Sequence, residues 1–95
     1  MNVENTWYVY LIRTRLNTLY CGVSTNVAHR FHQHQCTKAG AKALKGKGPL
    51  QLAWQSNAMS KRRAMQIEYK IKQMPKYKKE QIILDSSMII AELSV

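Results

Sequence analysis

Acidic residues are nearly missing from the body of this chain. Between Asn5 and Lys79 stands a single carboxylate, Glu68, while all fifteen lysines and arginines lie in that same stretch; Glu4, Glu80, Asp85 and Glu92 sit towards the ends. Cysteine is scarce as well. Cys21 and Cys36, with no CxxC spacing, argue against a disulfide scaffold and point to reduced thiols in a cytosol. No apolar run approaches the roughly 20 residues that span a bilayer, and residues 1–6 carry no apolar signal core. There is no repeat, low-complexity tract or evident linker. These absences lead to the expectation of one small soluble domain, cytoplasmic and, in a bacterium, associated with the nucleoid.

What is present is positive charge. The chain carries +10 at pH 7 with a pI near 10, and such a surface meets polyanions because neutralising phosphates releases their condensed counterions. Nucleic acid is therefore expected ahead of membrane. Residues that are 45% hydrophobic over 95 positions support one modest core. A surface that only binds phosphates has no use for a central acid. A site that cleaves phosphodiesters does, since a carboxylate can hold the divalent cation that activates them. Glu68 is thus the residue to explain.

Residues 7–12 are aromatic and β-branched and read as a strand, residues 19–22 as a second, and the polar link 14–18 makes them a hairpin. Thr25 or Asn26 can cap a helix running to about residue 36, with Val27, Phe31 and Gln35 on one stripe. A Gly- and Lys-rich loop follows, with a short helical turn at 41–44, then a third strand at 50–55. Ser60 caps a helix whose apolar positions are Ala64, Ile67, Ile71 and Met74. Pro75 ends it and opens another over residues 76–85. The order ββαβαα indicates an α+β fold, a small three-stranded, mostly antiparallel sheet flanked by helices. Trp7, Trp54, Met59, Met65 and Met74 read as core or near-core. His29, His32 and Cys36 share a helical stripe but lack an evident fourth ligand, so zinc is the weaker reading.

Alternation sets Tyr8, Tyr10 and Ile12 on one face of the first strand and Trp7, Val9 and Leu11 on the other. A turn near Arg15 sets Tyr10 opposite Tyr20, so two phenols converge on one sheet face. Tyr8-Val9-Tyr10 and, ten residues later, Tyr20-Cys21-Gly22 resemble the paired signature of the GIY-YIG nuclease superfamily. Arg30 and His34 follow on the first helix, and Glu68 on the second long helix, in the family's order. The resemblance is nearest to its small stand-alone, YhbQ-like bacterial members, through Tyr8-Val9-Tyr10-Leu11-Ile12-Arg13-Thr14, Gly40-Ala41-Lys42-Ala43-Leu44 and Glu68-Tyr69-Lys70. Three departures are Tyr8 in place of the first glycine, Cys21 in place of the usual aliphatic residue, and Val23 where some members carry a lysine.

The resemblance implies an endonuclease-like domain over residues 5–84. The tail over 85–95 has no role assigned by sequence, and its apolar Met88-Ile89-Ile90 leaves open a protein partner or a second copy. It implies hydrolysis of phosphodiester bonds in DNA, structure-selective and linked to repair or recombination. RNA as substrate, and a non-catalytic binding module on the same scaffold, stand as alternatives. Glu68 would hold Mg²⁺ or Mn²⁺, Arg30 would contact the scissile phosphate, and His34 would bond a phosphate oxygen or a tyrosine. Tyr10 or Tyr20 would orient or deprotonate the attacking water. Lys42, Lys45, Lys47, Lys61 and Arg62 would lie along the nucleic-acid backbone, contacts that position without reading sequence.

Overall fold

The computed structural model describes residues 5–36 and 40–85. Strand β1 (Tyr8–Arg13) is central, flanked by β2 (Leu19–Ser24) and β3 (Gln51–Gln55) in the order β2-β1-β3. Both pairings are antiparallel, so the sheet is wholly rather than mostly so. Helix α1 (Val27–Cys36), a 3₁₀ turn at Lys42–Leu44, α2 (Lys61–Lys72) and α3 (Lys76–Leu84) complete the expected ββαβαα order. The aromatic and β-branched run of β1 suits a strand covered on both sides. Val9, Tyr10, Leu11 and Ile12 are all buried.

The hairpin register is shifted by two residues from the expected one. Tyr10 faces Gly22, and Tyr20 faces Ile12. The turn causes this: the Thr14 amide donates to the Thr18 carbonyl (2.9 Å), the two threonine hydroxyls bond at 2.6 Å, and Asn17 takes the left-handed conformation at φ 65°. An even shift leaves every side chain on its original face, so Tyr10 and Tyr20 still share one side as diagonal neighbours.

The two faces have separate cores. Val9, Leu11 and Cys21 pack against Ala64, Ile67 and Ile71 of α2 and Ile82 of α3, with Trp7, Trp54, Met59 and Met74 at the border. Each fully buried aliphatic here contributes about 1.5–3 kcal/mol. The Ser60 hydroxyl starts α2 by accepting from the Arg63 amide at 3.2 Å. Met65 is the exception among the expected core methionines. It is 49% exposed, because it follows Ala64 by one residue and so turns away from the Ala64–Ile67–Ile71 stripe. On the other face Tyr10 and Ile12 pack with Val27, Leu44 and Leu50, bordered by Tyr8, Tyr20 and Phe31. A bidentate ion pair, Arg13 to Glu80 at 2.7 and 2.8 Å, joins the end of β1 to α3, and Lys76 adds a third contact to Glu80 at 2.7 Å.

Candidate functional site

Helix α1 begins where Asn26 Oδ1 accepts from the His29 amide at 3.0 Å. Its far end is tied down by Gln35, which accepts from the Leu50 amide at 2.8 Å and donates to the Leu50 carbonyl at 3.4 Å. Gln35 therefore anchors the helix through polar bonds where an apolar stripe would have called for a hydrophobe. Between these anchors His34 turns inward and is buried. The segment beginning at Gly40 passes directly over it: a Cβ at Gly40 would lie 2.6 Å from the His34 Cα, so only glycine fits there.

Ala41 then donates its amide to His34 Nδ1 at 2.9 Å, while His34 Nε2 meets Tyr10 Oη at 2.9 Å. Burial, with the Arg30 guanidinium beside it, lowers the His34 pKa and keeps the ring neutral at pH 7. A neutral imidazole whose Nδ1 accepts must carry its proton on Nε2. His34 therefore donates to Tyr10 Oη, leaving the Tyr10 hydroxyl proton to point elsewhere.

Tyr10 is buried, and the close backbone of Gly22 opposite makes room for it; any Cβ at position 22 would run into Tyr10 Oη. Burial, then the Tyr20 phenol nearby, push the Tyr10 pKa up to about 12, against the pull of the adjacent Arg30 guanidinium. Tyr10 thus stays a neutral phenol. Arg30, half-buried on α1, also donates from Nη1 to Gln33 Oε1 at 3.0 Å.

Tyr20 lies on the edge strand β2, with its ring edge-on to His34 at 5.5 Å between centroids. On its other side Lys72 Nζ stands 5.9 Å from the Tyr20 centroid and 3.4 Å from Glu68 Oε2. Tyr10, Tyr20, Arg30 and His34 therefore gather on the α1 face. Glu68 belongs to α2 across the sheet and reaches the cluster round the β2 edge, through Lys72 and Tyr20. Among the described residues no three His, Cys, Asp or Glu side chains come together as a metal cage. His29, His32 and Cys36 are exposed. The donor set is one half-buried carboxylate, Glu68, on a cationic surface. That set suits an ion that keeps most of its own water, as Mg²⁺ does.

Lys42 and Lys45 are exposed and Lys47 is half-buried. Arg15 holds their loop in shape: its amide donates to the Lys47 carbonyl (2.9 Å), its Nε to Gly48 (3.0 Å) and its Nη2 to Gly46 (3.1 Å). Arg62 is exposed on α2, and Lys61 Nζ stands 5.3 Å from the Trp7 ring. Lys38 and Met88-Ile89-Ile90 lie outside the described residues. The sequence offers Arg62, Lys72 or Lys61 as an ion-pair partner for Glu68, and the structure pairs it with Lys72, at i+4 spacing. The supporting roles of Arg15, Gln33 and the Ala41 amide have no such signal in the sequence, a main-chain amide least of all.

Residues 6–81 match the GIY-YIG catalytic domain. A UPF0213 protein of Vibrio parahaemolyticus is 53% identical over 91 residues, covering 96% of this chain and 85% of the relative. The UPF0213 protein YhbQ of Salmonella typhimurium is 49% identical over 88 residues, covering 93% and 87%. The solution NMR structure of a UPF0213 protein from Bacillus halodurans superposes with a TM-score of 0.54 at 34% identity, covering 85% of this chain and 86% of that one. A domain match over most of the chain, with relatives this similar along nearly all of it, makes the chain a member of the GIY-YIG family.

Proposed function

We propose that this protein is a divalent-metal-dependent endonuclease that hydrolyses phosphodiester bonds in DNA, selecting structure rather than sequence, in repair or recombination. It would act in the cytoplasm, at the nucleoid of a bacterial cell. The observation that carries the reading is the grouping of Tyr10, Tyr20, Arg30 and His34 on one face, with Lys72 linking the lone central acid to Tyr20. That grouping combines phosphate recognition, a water-handling phenol and an anionic ion ligand at one sheet edge. The net charge of +10 supports a polyanionic substrate.

In this reading the Arg30 fork, oriented by Gln33, binds the scissile phosphate. Tyr20 orients the attacking water through its phenolic oxygen. Its half-buried place at the rim supports that choice over Tyr10, whose pKa of about 12 leaves it a donor. Tyr10 and His34 form the rigid floor that fixes Tyr20 and Arg30, limiting reorganisation as charge builds on the phosphate. Glu68 would hold Mg²⁺ or Mn²⁺, which when bound supplies Lewis-acid stabilisation of that charge. Lys42, Lys45, Lys47, Lys61 and Arg62 align the backbone on either side. Phosphate contacts of this kind carry no sequence information, which supports selection by shape.

The test is cleavage of nicked, flapped, branched and single-stranded DNA, and of RNA counterparts, with Mg²⁺ or Mn²⁺. Glu68→Ala and Arg30→Ala are expected to cut at least about a hundredfold more slowly, the order lost when one electrostatic stabiliser is removed. Unchanged cutting by both variants would refute the site. Salt-dependent binding without cleavage of any substrate would favour the non-catalytic module.

A further inference from the structure

Among the described residues, Lys72 stands against both Glu68 and Tyr20, and so bears on both halves of the site. Its ammonium lies 3.4 Å from Glu68 Oε2 and 5.9 Å from the Tyr20 ring centroid, within range of a cation–π contact. The two side chains it touches come from opposite sides of the sheet. Cys21, next to Tyr20 in β2 but pointing to the α2 face, is raised by burial and by Glu68 and lowered by Lys72. The carboxylate and the ammonium therefore sit against the back of the edge strand, and Lys72 reaches round that edge to Tyr20.

An ordinary surface pair on a helix is a contact between two exposed chains, and it contributes little. This pair is unequal. The Glu68 side chain is 19% exposed and that of Lys72 51%, so a more exposed cation covers a more buried acid. The surrounding surface is strongly basic, and Val23, in β2 on the α2 side of the sheet, carries no charge.

We propose that Lys72 is a positioning residue: it stands in for the divalent ion at Glu68 while that ion is absent and steers Tyr20 while the ion is present. In the ion-free protein its charge keeps the Glu68 carboxylate turned towards the β2 edge. When an ion binds, it competes with the ammonium for Glu68 Oε2, and Lys72 remains against the Tyr20 ring, fixing the phenol relative to the carboxylate. This rests on the reading that Glu68 is the ion ligand and Tyr20 the water-handling group.

The test separates the two claims. Mn²⁺ alone is titrated calorimetrically into the full chain as wild type, Lys72→Met, Lys72→Arg and Glu68→Gln. Glu68→Gln must abolish Mn²⁺ binding; if it does not, the ligand reading has failed whatever Lys72 does. Lys72→Met is expected to bind Mn²⁺ about fivefold more tightly, the scale set by losing one competing charge at a partly exposed pair. With Mn²⁺ saturating, its kcat on the preferred DNA substrate is expected to fall about tenfold with KM unchanged, because the interaction acts through Tyr20 and not on the substrate. Lys72→Arg restores the wild-type affinity for Mn²⁺ and most of kcat. Unchanged Mn²⁺ affinity in Lys72→Met, or a weaker one, overturns the proposal. So does a raised KM at unchanged kcat, the mark of a plain phosphate contact. Thermal melts of both lysine variants within about 2 °C of wild type show that the fold is intact, since half-exposed surface changes cost little.

Discussion

One strand supplies both faces of this sheet, yet the faces are built to different rules. Val9 and Leu11 look towards α2 and α3 and meet aliphatic side chains and a buried thiol. Tyr10 and Ile12, the alternate residues, look towards α1, where the same degree of burial includes a phenol bonded to an imidazole. The first face can tolerate no polar atom without a partner and contains almost none. The second contains polar atoms whose partners come from the helix and from the loop after it. Apolar packing and polar pairing are thereby separated by the thickness of one strand, and the contact between them runs round the β2 edge.

The comparison breaks first under substitution of the aliphatic face. Ile71→Ala, at a fully buried position, is expected to cost about 2–5 kcal/mol, whereas Glu68→Gln one turn away changes stability by less than about 0.5 kcal/mol. Urea denaturation measures both, and similar losses would show that the faces are not separate. A smaller effect is expected from Tyr10→Phe, which leaves the His34 Nε2–H buried without its acceptor, at about 1–2 kcal/mol. Gly22→Ala disturbs the same hydroxyl by crowding it. Both should reduce cleavage more than their stability loss explains, and normal turnover in either would remove Tyr10 from the site.

The smallest effect concerns a region on neither face. Arg13 and Lys76 hold Glu80 at a pKa of about 2, below its ordinary 4.5. A depressed carboxylate contributes its stability above the unfolded pKa and loses it as the pH falls towards the folded one. Solvent screening of this partly exposed group limits the amount to about 1 kcal/mol. Denaturation midpoints of wild type and Glu80→Gln should therefore differ at pH 7 and converge between pH 4.5 and 2. A constant difference across that window would exclude the ion pair as its source.

Local signals explain which parts were readable beforehand. The periodicity of β1, the Asn26 and Ser60 caps and the Pro75 break are short-range, and each element formed where those residues put it. The site residues were named from a resemblance, and their meeting depends on long-range placement that no window of sequence contains. The register missed by two because the turn geometry depends on Thr14 and Thr18 bonding to each other. Met65 missed because methionine suits both core and surface, and one residue of helical phase decides between them. Arg15, which in the sequence marks only the place of the hairpin turn, braces the lysine loop through carbonyls of that loop, a contact across more than thirty residues.

The Ala41 amide carries a last consequence. It fixes which nitrogen of His34 bears the proton, and hence what Tyr10 receives, without using any side chain. A scan that replaces residues one at a time by alanine would skip position 41 altogether, because alanine already stands there. The control over the imidazole would be invisible to the experiment most often used to find such control. Only a residue lacking the N–H, proline, would make it visible.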